Sequence, residues 1–304
     1  MENTQLRGQM KLNFNCLPCL VNQVVRVANM TQADNKELLF KKVFTRLGEL
    51  DFTESNSEIV GITFDILREH LGNDDPYMQT RAYYNKLFLD MMDSFAHRIE
   101  CASNPFEQSV KFAIIGNIID FNPIHNKSLD DIMKFFESSE DSALTINHIS
   151  KMNLDIANSK TLLYLGDNCG EICLDKLLIR QIKACNPDID IFFGVRGKPV
   201  VNDAIETDAY FVGMDEYAKI INNGDDSLGT VIHRISPEFK KVYNEADIII
   251  SKGQANYESL SEEYHKNIYF LLVAKCDIIA KDIGVPLQSL ICMNNRSNPT
   301  REAL

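Results

Sequence analysis

The sequence predicts an α/β protein, with a helical N-terminal region leading into a mostly parallel sheet covered by helices. Two observations carry this. Up to about residue 155 the apolar residues recur at three and four, the helical period, and no convincing strand stands among them. From about Lys160 short apolar runs alternate with amphipathic stretches, the pattern of parallel strands joined by helical crossovers. The expected division is 1–155 for the helical region and 156–304 for the α/β unit.

Taken in order, Ser55-Asn56-Ser57-Glu58 is a capping box. Ile59, Ile62, Ile66 and Leu67 follow it on a helix that should stop near Gly72. One long helix is expected from about Tyr77 to Cys101, with Tyr84, Leu87, Phe88, Met91 and Phe95 on its buried face; Asn104-Pro105 breaks it. Val110, Ala113 and Ile114 mark a further helix ending near Phe121-Asn122-Pro123, and Leu129 to Phe136 fits another. The strand candidates are 161–165, 189–195, 246–250 and 268–273. Glu171 opens a helix with Leu174, Leu177, Leu178, Ile182 and Cys185 on one face. Lys275-Cys276 opens a last helix, and Gly284 is its expected C-cap. The tail from Asn294 reads as loosely ordered.

Composition narrows the function classes. Hydrophobic residues make up 45% of the 304 and charged residues 24%, an ordinary globular balance. The 31 basic and 43 acidic residues give a formal charge of -12, which disfavours nucleic acid or an anionic membrane as partner. No stretch approaches the roughly 20 apolar residues of a membrane helix. Eight scattered cysteines and no signal-like start set the expectation of a cytoplasmic protein with reduced thiols. Oligomeric state is unread.

Three polar turns follow three of the strand candidates. The first is Gly166-Asp167-Asn168-Cys169-Gly170-Glu171. The second runs from Gly197 to Ala204 and holds Asn202-Asp203, and the third runs from Ser251 to Glu258 and holds Lys252 and Gly253. Parallel strands place such turns on one edge of the sheet, where ligands bind. Carboxylates and amides together offer hard oxygen ligands to magnesium or manganese, and a lysine beside them offers a charge to phosphate. That mix points to metal-assisted phosphoryl transfer. Asp and Asn after strands are also ordinary helix caps, so spacing alone leaves both readings open.

Five ordered elements resemble the motifs of the damage-control phosphatase family. They are the first turn, Pro199-Val200-Val201-Asn202-Asp203-Ala204, Ser251 to Glu258, Gly116-Asn117-Ile118-Ile119-Asp120-Phe121, and Cys16-Leu17-Pro18-Cys19, the last being similar to the Cys-x-x-Cys of the family's stand-alone prokaryotic branch. Leu271 to Cys276 fits the family's C-terminal strand and turn. The resemblance implies a helical region packed on a three-layer α/β/α Rossmann-like domain. It implies a metal-dependent phosphatase acting on small phosphorylated metabolites, with magnesium, manganese, cobalt or nickel as cofactor. By it, Asp167, Asn168 and Asp203 correspond to metal ligands, and Asp167, Glu171 and Lys252 to catalytic groups. Asn117, Asp120, Lys252 and Gly253 would meet the substrate. Cys169 departs from the small residue more usual there.

Two mechanisms remain open at this stage, attack by an in-line water and attack by Asp167 with an aspartyl-phosphate. Two other functions also stand as alternatives: an S-adenosylmethionine-dependent methyltransferase and a non-catalytic phosphometabolite-binding module. The lone Cys-x-x-Cys lacks the second pair of a zinc site. Gly-x-Ser-x-Gly, a Walker-type phosphate loop and Gly-x-Gly-x-x-Gly are absent.

Overall fold

In the computed structural model the described residues are 10–50, 52–117, 129–139 and 142–297. Seven helices come first: α1 (Leu17–Met30), α2 (Lys36–Gly48), α3 (Asn56–Leu71), α4 (Met78–Asp90), α5 (Met92–Glu100), α6 (Pro105–Gly116) and α7 (Leu129–Ser139). The alternating part follows: β1 (Ile146–Asn147), α8 (Ile149–Ala157), β2 (Thr161–Leu165), α9 (Glu171–Cys185), β3 (Asp190–Val195), α10 (Glu206–Phe211) and β4 (Lys219–Asn222). It closes with α11 (Pro237–Glu245), β5 (Ile248–Lys252), α12 (Gly253–Leu260), β6 (Ile268–Val273), α13 (Asp277–Ile283) and β7 (Leu290–Asn294). The seven strands run in the order β1-β7-β6-β5-β2-β3-β4. Every pairing is parallel except β6 with β7.

The strands bury both faces, and their alternation builds two cores. Leu162, Tyr164, Ile248, Ile250, Tyr269 and Leu271 face one layer, where they meet α6 and α9 through Phe112, Ile115, Leu174 and Leu178. Leu163, Leu165, Ile249, Phe270 and Leu272 face the other, meeting Phe239 and Tyr243 of α11, Tyr257 of α12 and Ile279 of α13. This is the expected α/β fold. Helices on both sides of residue 155 share the first core, since Tyr84, Phe88 and Phe95 belong to it with Ile179. Helices α1–α3 keep a third core of their own, and Val200 from the loop after β3 plugs into it.

Some local expectations hold and others differ. The capping box on α3 is present, and Gly72 ends that helix at φ 59°. The helix expected over Tyr77–Cys101 is two, because the Met91 N–H bonds back to the Phe88 carbonyl at 3.1 Å and tightens the chain there. Cys185 is exposed rather than on the buried face of α9. β1, β4 and β7 were not foreseen: β1 has two residues, β4 is polar at both ends, and β7 is buried throughout and antiparallel to β6. Asn294 ends β7 and is itself buried. The expected helix end at Ile118–Pro123 lies outside the described residues. No helix among the described residues is long and apolar enough to cross a membrane.

Candidate active site

The turn after β2 and the loop after β3 are zipped together by backbone. Cys169 N–H donates to the Asn202 carbonyl at 2.9 Å, and Ala204 N–H donates to the Asp167 carbonyl at 2.8 Å. Asn168 and Asp203 thereby pair across an isolated antiparallel bridge. Val201, just before Asn202, sits at φ 47°. A β-branched residue in that region is strained, and such strain persists only where the surroundings over-determine it. Here Val200 is locked into the α1–α3 core on one side and the bridge holds the other. Two segments 34 residues apart in sequence thus present Asp167, Asn168, Asn202 and Asp203 at one edge of the sheet.

The side chains form a continuous network around Asp167. Asn117, at the end of α6, donates to Asp167 Oδ2 at 2.8 Å and to Glu171 Oε2 at 3.0 Å. Asn168 donates to the same two oxygens at 2.8 and 3.0 Å, and its own oxygen accepts from Asn202 at 3.0 Å. Arg196 Nε donates to Asp203 Oδ2 at 2.7 Å, and its Nη2 lies 3.6 Å from Asp167 Oδ1. Gly253 opens α12 at φ 75° hard against Asp167, where an added Cβ would fall 1.9 Å from Oδ2. Beneath, Lys252 donates to Glu171 Oε1 at 2.5 Å, Asp175 Oδ1 at 2.7 Å and the Ala113 carbonyl at 2.8 Å. Tyr164 also donates to Asp175, at 2.7 Å.

The charges in this nest do not balance. Asp167, Glu171, Asp175 and Asp203 are buried carboxylates, and Lys252 and Arg196 are the buried cations bonded to them. Four carboxylates against two cations leave a formal excess of two, which burial relieves by raising carboxyl pKa values unless a further cation compensates it. Burial, with Asp203 and Glu171 close by, pushes Asp167 well above the usual carboxylate range. Burial also raises Asp203, against the pull of Arg196. Asp175 is pushed up to about 6 by burial, against the charge of Lys252 and with that of Glu171. Glu171 behaves oppositely: burial acts to raise it, but the charge and hydrogen bonds of Lys252 outweigh burial and hold it below its ordinary value. Lys252 is raised, because the attraction of Asp175 and Glu171 exceeds the effect of burial.

The structure brings Asp167, Asn168, Glu171, Asp203, Asn117 and Gly253 together. Asp120 lies outside the described residues. Lys252 is fully buried, with all three ammonium protons engaged, so it sits under the carboxylates instead of at an open edge. A direct phosphate contact would require it to give up one of those bonds. Cys169 and Cys173 are buried thiols raised chiefly by burial, in keeping with packing residues. Among the described residues no three His, Cys, Asp or Glu side chains form a group that could hold a metal ion. The expected ligand set has two carboxylates and an amide. Its chemistry fits a hard cation in two further respects. Asn117 Oδ1 is buried beside Asp167 with no partner among the described residues, and the two excess charges match one divalent ion.

Four participants escaped the sequence reading. Arg196 directly follows the β3 run, and a charged residue at the carboxyl end of a buried strand was the available signal. Lys275 is exposed after β6, yet its charge reaches far enough to pull down on both Asp167 and Asp203. Asp175 lies one helical turn after Glu171, on the same face of α9. Asn85 of α4 carried no signal at all: its oxygen accepts from Gly170 N–H at 2.7 Å and its nitrogen donates to Asp208 at 2.9 Å, tying the helical region to the turn.

Residues 13–291 match the family described as the damage-control phosphatase ARMT1-like domain. A damage-control phosphatase of Pyrococcus horikoshii is 30% identical over 292 residues, covering 94% of this chain and 99% of the relative. A damage-control phosphatase of Archaeoglobus fulgidus is 31% identical over 288 residues, covering 93% and 98%. A crystal structure of a DUF89 family protein from Pyrococcus horikoshii superposes with a TM-score of 0.86 at 30% identity, covering 94% of this chain and 99% of that one.

Proposed function

From the premise that the chain belongs to the damage-control phosphatase ARMT1-like family, we propose that it is a divalent-metal-dependent phosphatase acting on phosphate monoesters of small metabolites, sugar phosphates or related damaged metabolites. The observation that carries the metal is the formal excess of two buried carboxyls over cations around Asp167. Asp167, Asn168 and Asp203 would hold a magnesium, manganese, cobalt or nickel ion, with the Asn117 oxygen, which has no partner among the described residues, beside them. When bound, the ion neutralises phosphate charge as a Lewis acid.

The chain's own residues do the positioning. Glu171, kept ionised by Lys252, accepts from the amides of both Asn117 and Asn168 and so fixes which way they point. Lys252 thereby serves the phosphate through Glu171. Arg196 orients Asp203. Lys275, at the open edge, meets the phosphate as a point charge, and the N-terminus of α12 at Gly253 adds its positive end. A water attacks phosphorus in line, the P–O bond to the alcohol breaks, and the proton that the water loses ends on the departing alcohol oxygen. Positioning and charge stabilisation supply most of the rate in such a reaction.

The test is phosphate release from para-nitrophenyl phosphate and a panel of sugar phosphates, with each of the four metals and with chelator. Release that needs metal and stops with chelator is the expected result. No release with any metal, in a folded protein, overturns the reading.

A further inference from the structure

Asn85 lies on α4, in the helical region, and is fully buried. Its amide works in two directions. Oδ1 accepts from the Gly170 N–H at 2.7 Å, and Nδ2 donates to Asp208 Oδ1 at 2.9 Å. Gly170 is the N-cap of α9, and its N–H has no acceptor within that helix. It stands between Asn168 and Glu171, two residues of the candidate site. Asp208 performs the matching task on the loop after β3. Its Oδ2 accepts from the Ile205 N–H at 3.0 Å and closes the first turn of α10. Ile205 follows Asp203 by two residues, and Ala204 between them is bonded to the Asp167 carbonyl. Arg81, one turn before Asn85 on α4, donates from Nε to Asp208 Oδ2 at 2.8 Å, and both oxygens of Asp75 hold its guanidinium. Helix α4 thus grips the turn that carries Asp167 and Asn168 and the loop that carries Asp203, and Asn85 bonds to both.

The grip is chemically specific. A backbone N–H needs an acceptor and an ionised carboxylate needs a donor, and a carboxamide offers both on one rigid plane. A leucine would pack α4 as well and supply neither. Asn is also less favourable than Leu or Ala in a helix interior, so it gains nothing for α4 itself. We propose that Asn85 is a positioning residue for the metal: through Gly170 and Asp208 it sets the separation of the two segments, so that Asp167, Asn168 and Asp203 stand in register before an ion arrives. The proposal rests on those three residues being the ligands. Groups that orient metal ligands without touching the ion typically change its affinity about 10–100-fold.

The test reads metal binding and backbone exchange, not turnover. Manganese(II) binding to the full chain is measured by titration calorimetry, and hydrogen exchange of residues 166–171 is followed by mass spectrometry in metal-free protein. Asn85→Ala should raise the manganese dissociation constant about tenfold or more and speed exchange of that segment. Asp208→Asn keeps the side chain's size but turns an amide donor against the Asn85 donor, and should act in the same direction. Adding Asn85→Asp to it restores an acceptor facing a donor, and should return the dissociation constant to within about threefold of wild type. Phe88→Leu, at a fully buried position on the same helix, weakens packing alone and should leave manganese affinity unchanged. An Asn85→Ala protein that binds manganese as tightly as wild type, or loses no more affinity than Phe88→Leu, would overturn the proposal. Should Asn85→Ala fail to fold, Asp208→Asn and the double variant carry the test, and equal affinity in those two would overturn it. A wild type that binds no manganese would sink the ligand assignment beneath the proposal, and is told apart because every variant is then silent as well.

Discussion

Two acidic clusters at the same edge of the sheet use the same residue type to opposite ends. In the loop after β4, Asp225 and Asp226 face Arg234 at 2.8 and 2.9 Å, and Asp226 also meets Lys198 at 3.2 Å and Arg68 at 3.4 Å. Asp65 shares Arg68 with Asp226, so three carboxylates there meet three cations. Burial acts to raise Asp226, but Lys198, Arg234 and Arg68 outweigh it and hold it low. Around Asp167, four carboxylates share two cations, and Asp167, Asp175 and Asp203 are all raised. The first cluster is electrostatically finished and holds a loop. The second is left with more carboxylates than cations. What distinguishes a site from a staple here is the local balance of charge, not the presence of aspartates.

The sharpest way to break this comparison is to unbalance the site further. Lys252→Met would leave Glu171 and Asp175 buried beside each other without their cation, and should cost about 3–5 kcal/mol in denaturant unfolding. A loss below about 1 kcal/mol would mean that the nest is wetter than its burial indicates. Next in size is Asp167→Asn, which removes one excess charge and keeps the shape. Metal-dependent phosphate release should fall about 100-fold or more. The wild type should gain about 2.7 kcal/mol of stability at metal concentrations 100 times the dissociation constant, and Asp167→Asn should gain far less. An equal metal response in both proteins would remove Asp167 from the ligand set.

Lys275→Ala should raise KM for a phosphate monoester about tenfold with kcat less affected, as expected for one charge-assisted hydrogen bond of about 1.5–3 kcal/mol. Unchanged KM would assign the phosphate elsewhere. The pH dependence of the two clusters should differ in sign. Asp175 has a folded value of about 6, above the usual carboxylate value of about 3.9, so between these the folded state binds more protons than the unfolded state. Its ionisation therefore removes stability as pH rises through that window. Metal-free Asp175→Asn should be more stable relative to wild type at pH 7 than at pH 5. Asp226, held low, contributes stability that is present above about pH 4 and lost only as pH falls through its folded value. Asp226→Asn should thus cost stability by a margin that does not change between pH 7 and 5, and should leave the metal response intact. A margin that grows as pH falls from 7 to 5 would put Asp226 in the same class as Asp175.

The local elements were legible because their causes are local. The capping box at Ser55 and Glu58, the Pro105 start of α6, the Gly284 stop and the apolar runs of β2 and β6 all appear where the residues place them. The two-residue β1 carries too little pattern to read, and the antiparallel turn-back of β7 depends on a neighbour and not on its own residues. The acidic turns could be named from sequence because strand ends in a parallel sheet share an edge.

By itself, then, the order of residues determined the layered α/β class and put Asp167, Asn168, Asp203 and Gly253 at strand ends, since periodicity and turn chemistry act over a few residues. Only the tertiary structure decided that Lys252 lies sealed beneath Glu171 and Asp175, that Arg196 clasps Asp203, and that Lys275 rather than Lys252 stands at the open edge. Burial and the sum of neighbouring charges set those roles. Both come from chains of contact between segments as much as 139 residues apart, as between Lys252 and Ala113, which no local pattern encodes.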